Sequence, residues 1–266
     1  MSEPVVLQAE GLEKAFGGVR AVDGVSFKVE AGRLLALIGP NGAGKTTCFN
    51  MLNGQLKPDA GRVKLGGRDI TGLAPRVVWA LGVGRTFQIT ATFASMTVRE
   101  NVQMALISHH GRTRALWPWA GDLYRDEAMA VLGRVGMADQ AERECAILAY
   151  GDIKRVELAM ALANDPRLLL MDEPTAGMAP RERVALMQLA ADIVRERSIG
   201  VLFTEHDMDV VFTHADRILV LDRGILIAEG KPETVRSDPR VREIYLGSTG
   251  LDAAHRAGRA HGEVVP

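Results

Sequence analysis

Cysteine is nearly missing from this 266-residue chain: Cys48 and Cys145 are the only two. A disulfide framework and a four-cysteine zinc site are both excluded. Neither sign of charge dominates, since 32 Lys plus Arg face 33 Asp plus Glu for a net charge of -1. That balance argues against a protein that grips nucleic acid through overall positive charge. No apolar run approaches the ~18 residues of a membrane span. The start, Met1-Ser2-Glu3-Pro4, lacks the basic opening and apolar core of a signal peptide. Internal repeats are absent as well. What remains is 47% apolar and 24% charged residues, an ordinary globular composition. The length suits one large domain or two small ones, and a soluble cytosolic chain is expected.

Strand-like and helix-like stretches alternate along most of the chain. Val25, Phe27 and Val29 alternate with Ser26 and Lys28, the pattern of a half-buried strand. Leu34 to Ile38 is a continuous apolar run, expected of a strand covered on both faces. Leu168 to Met171, Val201 to Phe203 and Ile218 to Leu221 are runs of the same kind. Gly66-Gly67 and Asp222-Arg223-Gly224 are turn signals that predict hairpins. Ile153, Val156, Met160 and Ala163 share one helix face, with Lys154, Arg155 and Glu157 on the other. The expected fold is α/β: a parallel-strand core, roughly 31–55 and 165–220, with antiparallel strands in front and behind. A helical segment, about 90–160, interrupts it. The tail 248–266, rich in Gly, Ala, His and Arg, carries no apolar period and reads as mobile.

Gly39-Pro40-Asn41-Gly42-Ala43-Gly44-Lys45-Thr46 fits the phosphate-loop pattern G-x-x-x-x-G-K-[ST] without a gap. Its glycines let successive backbone N–H groups turn toward phosphate oxygens. The helix that follows, through Thr46, Thr47 and on to Leu52, aims its positive end at the same anion. Lys45 is placed to reach the β- and γ-phosphates, and the Thr46 hydroxyl to ligate Mg2+. A second run ends in Asp172-Glu173, which brings two carboxylates to the same edge of such a sheet. Asp172 suits the Mg2+ sphere, and Glu173 suits polarising the water that attacks the γ-phosphate.

At this point the chain resembles the ATP-binding cassette family over about residues 4–247. Leu148-Ala149-Tyr150-Gly151-Asp152, about 20 residues ahead of Asp172, is similar to the family signature L-S-G-G-Q. Gln88 resembles the glutamine that senses γ-phosphate and metal, and His206 the family's switch histidine. Phe16 matches the aromatic that stacks on adenine. Ala176 to Pro180 stands where the dimer-contacting loop belongs. The resemblance implies a phosphate-loop ATPase fold with a RecA-like core, an antiparallel β-subdomain and an inserted helical subdomain. It also implies ATP and Mg2+ as ligands. Two cassettes would pair head to tail, with ATP between one chain's phosphate loop and the other's Ala149, Tyr150 and Gly151.

Three positions depart from the family pattern. Ala149 replaces the signature serine, Asp152 the usual glutamine, and Ala179 the usual aspartate of the dimer-contacting loop. Ala149 with Tyr150 resembles a variant common in one importer branch. Asp152 is locally favourable at a helix start by ~0.3–1 kcal/mol. Across an interface it would face polyphosphate, which at ~8 Å and an effective dielectric of about 20 costs ~2 kcal/mol before screening. The expectation is two unequal ATP sites and pairing with a different cassette subunit, a homodimer being the alternative.

Arg85-Thr86-Phe87-Gln88, Thr97-Val98-Arg99-Glu100-Asn101-Val102, Leu148-Ala149-Tyr150-Gly151 and the ending Ile244-Tyr245-Leu246-Gly247 resemble ATP-binding subunits of bacterial branched-chain amino-acid importers. That branch implies two transmembrane permease subunits, a second ATP-binding subunit and a periplasmic substrate-binding protein, with the chain peripheral on the inner face of the membrane. No nucleic acid enters the scheme. Trp117 and Trp119 lie in the longer insert of that branch, either near a permease helix or in a satellite core. Lipopolysaccharide-export cassettes, urea or amide systems, and a non-transport regulatory cassette are the competing readings. A small-molecule kinase would leave residues 148–152 and His206 without a purpose.

Overall fold

The computed structural model describes residues 3–86, 92–111 and 122–246. The chain opens with β1 (Val5–Phe16) and β2 (Val19–Glu30), a long antiparallel hairpin. Val25, Phe27 and Val29 are buried between exposed Ser26 and Lys28, as the alternation predicts. Then come β3 (Leu34–Ile38), α1 (Lys45–Leu52), β4 (Ala60–Leu65), β5 (Arg68–Asp69), α2 (Pro75–Ala80) and β6 (Val83–Thr86). Three helices follow: α3 (Val98–His109), α4 (Arg125–Arg134) and α5 (Tyr150–Leu162). The rest alternates as β7 (Leu168–Asp172), α6 (Pro180–Arg197), β8 (Gly200–Thr204), α7 (Met208–His214), β9 (Arg217–Asp222) and β10 (Ile225–Gly230). It closes on α8 (Pro232–Ser237) and α9 (Pro239–Leu246). Among the described residues, no helix is long and apolar enough to cross a membrane.

Two sheets result. One is antiparallel, in the order β2-β1-β4-β5; the other has the order β10-β9-β3-β8-β7-β6. In the second, β9, β3, β8, β7 and β6 run parallel, and β10 joins antiparallel to β9. The expected antiparallel layer behind the core is therefore this single edge strand, not a separate sheet. Both predicted turns form two-residue hairpin loops with positive φ at each position: 54° and 82° at Gly66 and Gly67, 47° and 82° at Arg223 and Gly224. These angles give the loop the twist that antiparallel neighbours need.

Why the core strands are apolar without alternation follows from the layers. Leu34, Ala36 and Ile38 face one buried cluster, shared with α3 to α7, while Leu35 and Leu37 face another, shared with α1 and the antiparallel sheet. A strand covered on both sides has no polar face to keep. The helical segment is pinned at α3 by a capping box: the Thr97 hydroxyl accepts the Glu100 N–H, and the Glu100 carboxylate accepts the Thr97 N–H.

Lys154 and Glu157, on the face of α5 opposite Ile153, Val156, Met160 and Ala163, are nonetheless buried, 4% and 5% exposed. They pair with each other at 2.9 Å. The helix packs against α3, α4, α6 and β6, so it has no free face, and the two charges neutralise each other in place. Trp117, Trp119, Gln88 and the tail lie outside the described residues.

Candidate functional site

Because β3, β7 and β8 are parallel neighbours, their C-terminal ends deliver residues to one edge. β3 runs straight into the loop 39–44, where Gly39 has φ 155° and Gly44 φ 104°. A Cβ on Gly39 would stand 2.2 Å from the Leu221 carbonyl oxygen, and one on Gly44 2.3 Å from that of Ala21. Both positions therefore exclude any side chain. The loop is tied to its surroundings by the Ala43 N–H to Pro40 O bond at 3.1 Å and the Gly224 N–H to Ala43 O bond at 2.9 Å. Asn41, Gly42 and Thr46 are exposed, Thr47 and Pro40 partly so.

Lys45 opens α1 from a buried position, and its ammonium donates to the carbonyls of Gly39 at 2.7 Å and Pro40 at 3.1 Å. Burial lowers its pKa, while the charges of Glu173 and Asp172 act the other way. The lysine thus senses both carboxylates, as a group shared by a phosphate and a metal site should.

Asp172 ends β7, buried, and accepts the Thr204 hydroxyl at 2.7 Å on Oδ1. Its Oδ2 lies 3.4 Å from Arg85, whose guanidinium also donates to Asn50 and Gln55 at 3.0 and 2.8 Å. Glu173 leaves the strand with φ 48°, a left-handed backbone that a glutamate adopts only under constraint. The constraint is visible: its N–H donates to both the Thr204 carbonyl and hydroxyl, each at 3.1 Å. The twist turns its carboxylate toward His206, whose Nε2 lies 2.8 Å from Oε1. His206 itself is exposed.

Phe16 stands half exposed at the tip of the first hairpin, paired with Val19. Lys14 sits 5.7 Å above its ring. The same hairpin borders the phosphate loop, where Gly44 meets Ala21 and Val22. The segment Ala149, Tyr150, Gly151 opens α5 and belongs to a different cluster. Tyr150 approaches Gly177, and Gly151 approaches the Glu182 carboxylate. Asp152 accepts the Gln140 amide at 3.3 Å. Ala179, with no side-chain oxygen, leaves its N–H to Glu182 at 3.2 Å. Residues 148–152 and the loop 174–179 therefore form one surface, with Asp152 in the first turn of α5 and Glu182, from the first turn of α6, beside Gly151.

Three polar residues of the site escape a reading of the sequence. Arg85 reads as a surface residue until β6 is found beside β7. Glu205 reads as a solvated acid, yet it is 5% exposed. Tyr245 on α9 packs against the larger core with its hydroxyl facing the Gly39 N–H, and burial pushes it up to about 12; only the ending motif pointed there.

The donor set bears on a metal. One hydroxyl, Thr46, and one carboxylate, Asp172, are hard oxygen donors of the kind that suits Mg2+, which takes one or two carboxylates with the rest from phosphates and water. No group of three or more His, Cys, Asp or Glu able to hold a metal occurs among the described residues, so an all-protein cage is not what this edge offers.

Known proteins match along nearly the whole chain. Residues 22–176 match the family profile described as ABC transporter, and residues 226–250 match that of the branched-chain amino acid ATP-binding cassette transporter. The chain is 39% identical over 254 residues to the high-affinity branched-chain amino acid transport ATP-binding protein BraF of Pseudomonas aeruginosa, covering 93% of this chain and 99% of that one. It is 37% identical over 257 residues to LivG of Escherichia coli, with the same coverage. The crystal structure of the ADP conformation of an ATP-binding cassette of an ABC transporter superposes with a TM-score of 0.82 at 33% identity, covering 91% of this chain and 99% of that one.

Proposed function

The chain belongs to the ABC transporter ATPase family, and we propose that it is the ATP-hydrolysing subunit of an importer for branched-chain or related amino acids. One observation carries the chemistry: Glu173, bonded to His206 at 2.8 Å, stands one residue beyond buried Asp172 on the edge that holds the phosphate loop. The match at 226–250 and relatives aligned over 99% of their length support the branch.

Phosphate oxygens accept from backbone N–H groups between Asn41 and Thr47 and from the Lys45 ammonium, with Gly39 and Pro40 forming the turn that leads in, and adenine stacks on Phe16. Thr46 and Asp172 would hold Mg2+, with Gln88 as a further ligand; when bound, the ion neutralises charge on the β- and γ-phosphates. Glu173 accepts a proton from the attacking water. His206 donates from Nε2 to that carboxylate and so fixes its direction toward the water. Catalysis here is positioning plus electrostatics.

Ala149, Tyr150 and Gly151 present the start of α5 to the nucleotide of a second cassette. Two carboxylates, Asp152 and Glu182, flank that start, so the site completed by this chain is the slower of two. That inequality supports pairing with a different ATP-binding subunit. Two transmembrane permeases, with this chain docked on them at the inner face of the membrane and a periplasmic binding protein on the other side, complete the complex.

The test is ATP hydrolysis by the chain co-assembled with its permeases and binding protein. Stimulation by leucine, isoleucine or valine is expected. Stimulation by urea or amides alone would move the assignment to another solute, and ATP turnover with no membrane subunits recovered would remove the importer reading.

A further inference from the structure

The two acids that flank His206 both hold the loop leading away from Glu173. Glu205, directly before the histidine, accepts two hydrogen bonds from Thr175: one from its N–H at 2.8 Å and one from its hydroxyl at 2.7 Å. The His206 N–H turns toward the same carboxylate. Asp207, directly after, meets the Arg183 guanidinium at 2.6 Å, and Arg183 also donates to the Met178 carbonyl at 2.8 Å. Thr175 and Glu205 are 1% and 5% exposed, so solvent offers neither a substitute partner.

A carboxylate is an expensive acceptor in such a place. Burial raises the pKa of Glu205, the Thr175 hydroxyl and N–H and the His206 N–H lower it, and the charge of Glu173 raises it again. A buried carboxylate is stable only if its donors stay in place. The donors are on the Glu173 side of the site and the acceptor on the His206 side, in segments about 30 residues apart. Separation of the two would strand the charge, so the contact resists movement of one against the other.

We propose that Glu205 is a positioning residue for hydrolysis: by clasping Thr175 and the His206 N–H, it fixes the Glu173–His206 pair and ties that pair to the loop 174–179. Asp207 and Arg183 secure the far end of the same loop. Movement of the loop, on whichever surface it meets, is then transmitted to the hydrolytic pair. Glu205 touches no part of the nucleotide itself. The inference rests on Glu173 and His206 acting at the γ-phosphate as stated above.

The experiment measures kcat, KM and equilibrium binding of an ATP analogue for the assembled transporter carrying the parent chain, E205A, E205Q, T175V or E173Q. The expected result is a kcat about tenfold lower in E205A, with KM and analogue binding within twofold of the parent. E205Q, whose amide oxygen still accepts from Thr175, should return kcat to within threefold. T175V, which keeps the N–H and loses the hydroxyl, should fall between. If E205A does not fold, T175V carries the test, and an unchanged kcat in it overturns the proposal. So does parental kcat in E205A, a loss of analogue binding in parallel with kcat, or an E205Q no better than E205A. Should E173Q itself turn over ATP at the parental rate, the assignment of Glu173 fails instead, and that outcome is separate from the others.

Discussion

Arg85 and Asp172 face each other at 3.4 Å across the neighbouring strands β6 and β7. The arginine also binds Asn50 and Gln55, so one side chain joins the start of the helical insert, the segment after the phosphate loop and the carboxylate proposed for Mg2+. Its side chain is 12% exposed. Removing one partner of a buried pair leaves the other charge uncompensated. R85A should therefore lose about 3 kcal/mol of stability in urea unfolding, and R85K, which keeps the charge without the planar fork, should lose less. Equal losses in the two variants would mean that the hydrogen-bonding fork, not the charge, is what matters.

Asp152 sits near the helix start that would face a second cassette's nucleotide. Replacing it with glutamine removes a negative charge while keeping an acceptor for Gln140. In the assembled transporter, D152Q should raise ATP turnover severalfold, because even a screened repulsion of ~1 kcal/mol is a factor of about five. Turnover at or below the parental value in single-site kinetics would count against unequal sites.

Cys48, four residues after the loop on α1, is fully buried, and burial pushes its thiol up to about 12. At pH 8 the thiolate fraction is then ~10⁻⁴. Titration with a thiol reagent at pH 8 should label neither Cys48 nor buried Cys145 in the native chain, and both once guanidinium is added. Rapid native labelling at Cys48 would show that α1 opens locally.

His214 is buried at the end of α7, and its pKa is lowered from the ordinary 6.5 by burial and then by the charge of Arg195. Below pH 6.5 the unfolded chain takes up this proton more readily than the folded one. Stability from keeping the imidazole neutral is therefore present above pH 6.5 and lost as pH falls through the folded value, with a slope of at most ~1.4 kcal/mol per pH unit. The H214Q variant should show a flatter stability curve between pH 5 and 7. Identical curves would place the titration elsewhere.

How much of this was legible beforehand depends on how each feature is written in the chain. The phosphate loop is a contiguous motif, and Leu34–Ile38, Leu168–Met171 and Val201–Phe203 are apolar because both their faces are covered. Strand periodicity thus located the edge where Asp172, Glu173 and His206 end up. β6 was not visible: Val83-Gly84-Arg85-Thr86 is too short and too polar to read as a strand, and only its pairing with β7 makes it one. Lys154, Glu157 and Glu205 share a second reason. A charged residue reads as solvated unless its partner is known, and the partners of Glu205 are about 30 positions away. The left-handed backbone of Glu173 likewise has no trace in composition, since it is imposed by Thr204 from the adjacent strand.

The most direct measurement is the fate of bound ATP in E173Q compared with K45A. With the hydrolytic carboxylate replaced by its amide, the chain should bind ATP with nearly parental affinity and retain it unhydrolysed, while K45A should lose binding itself. Equal loss of affinity in both variants, or phosphate release from E173Q at the parental rate, would contradict the role assigned to Glu173.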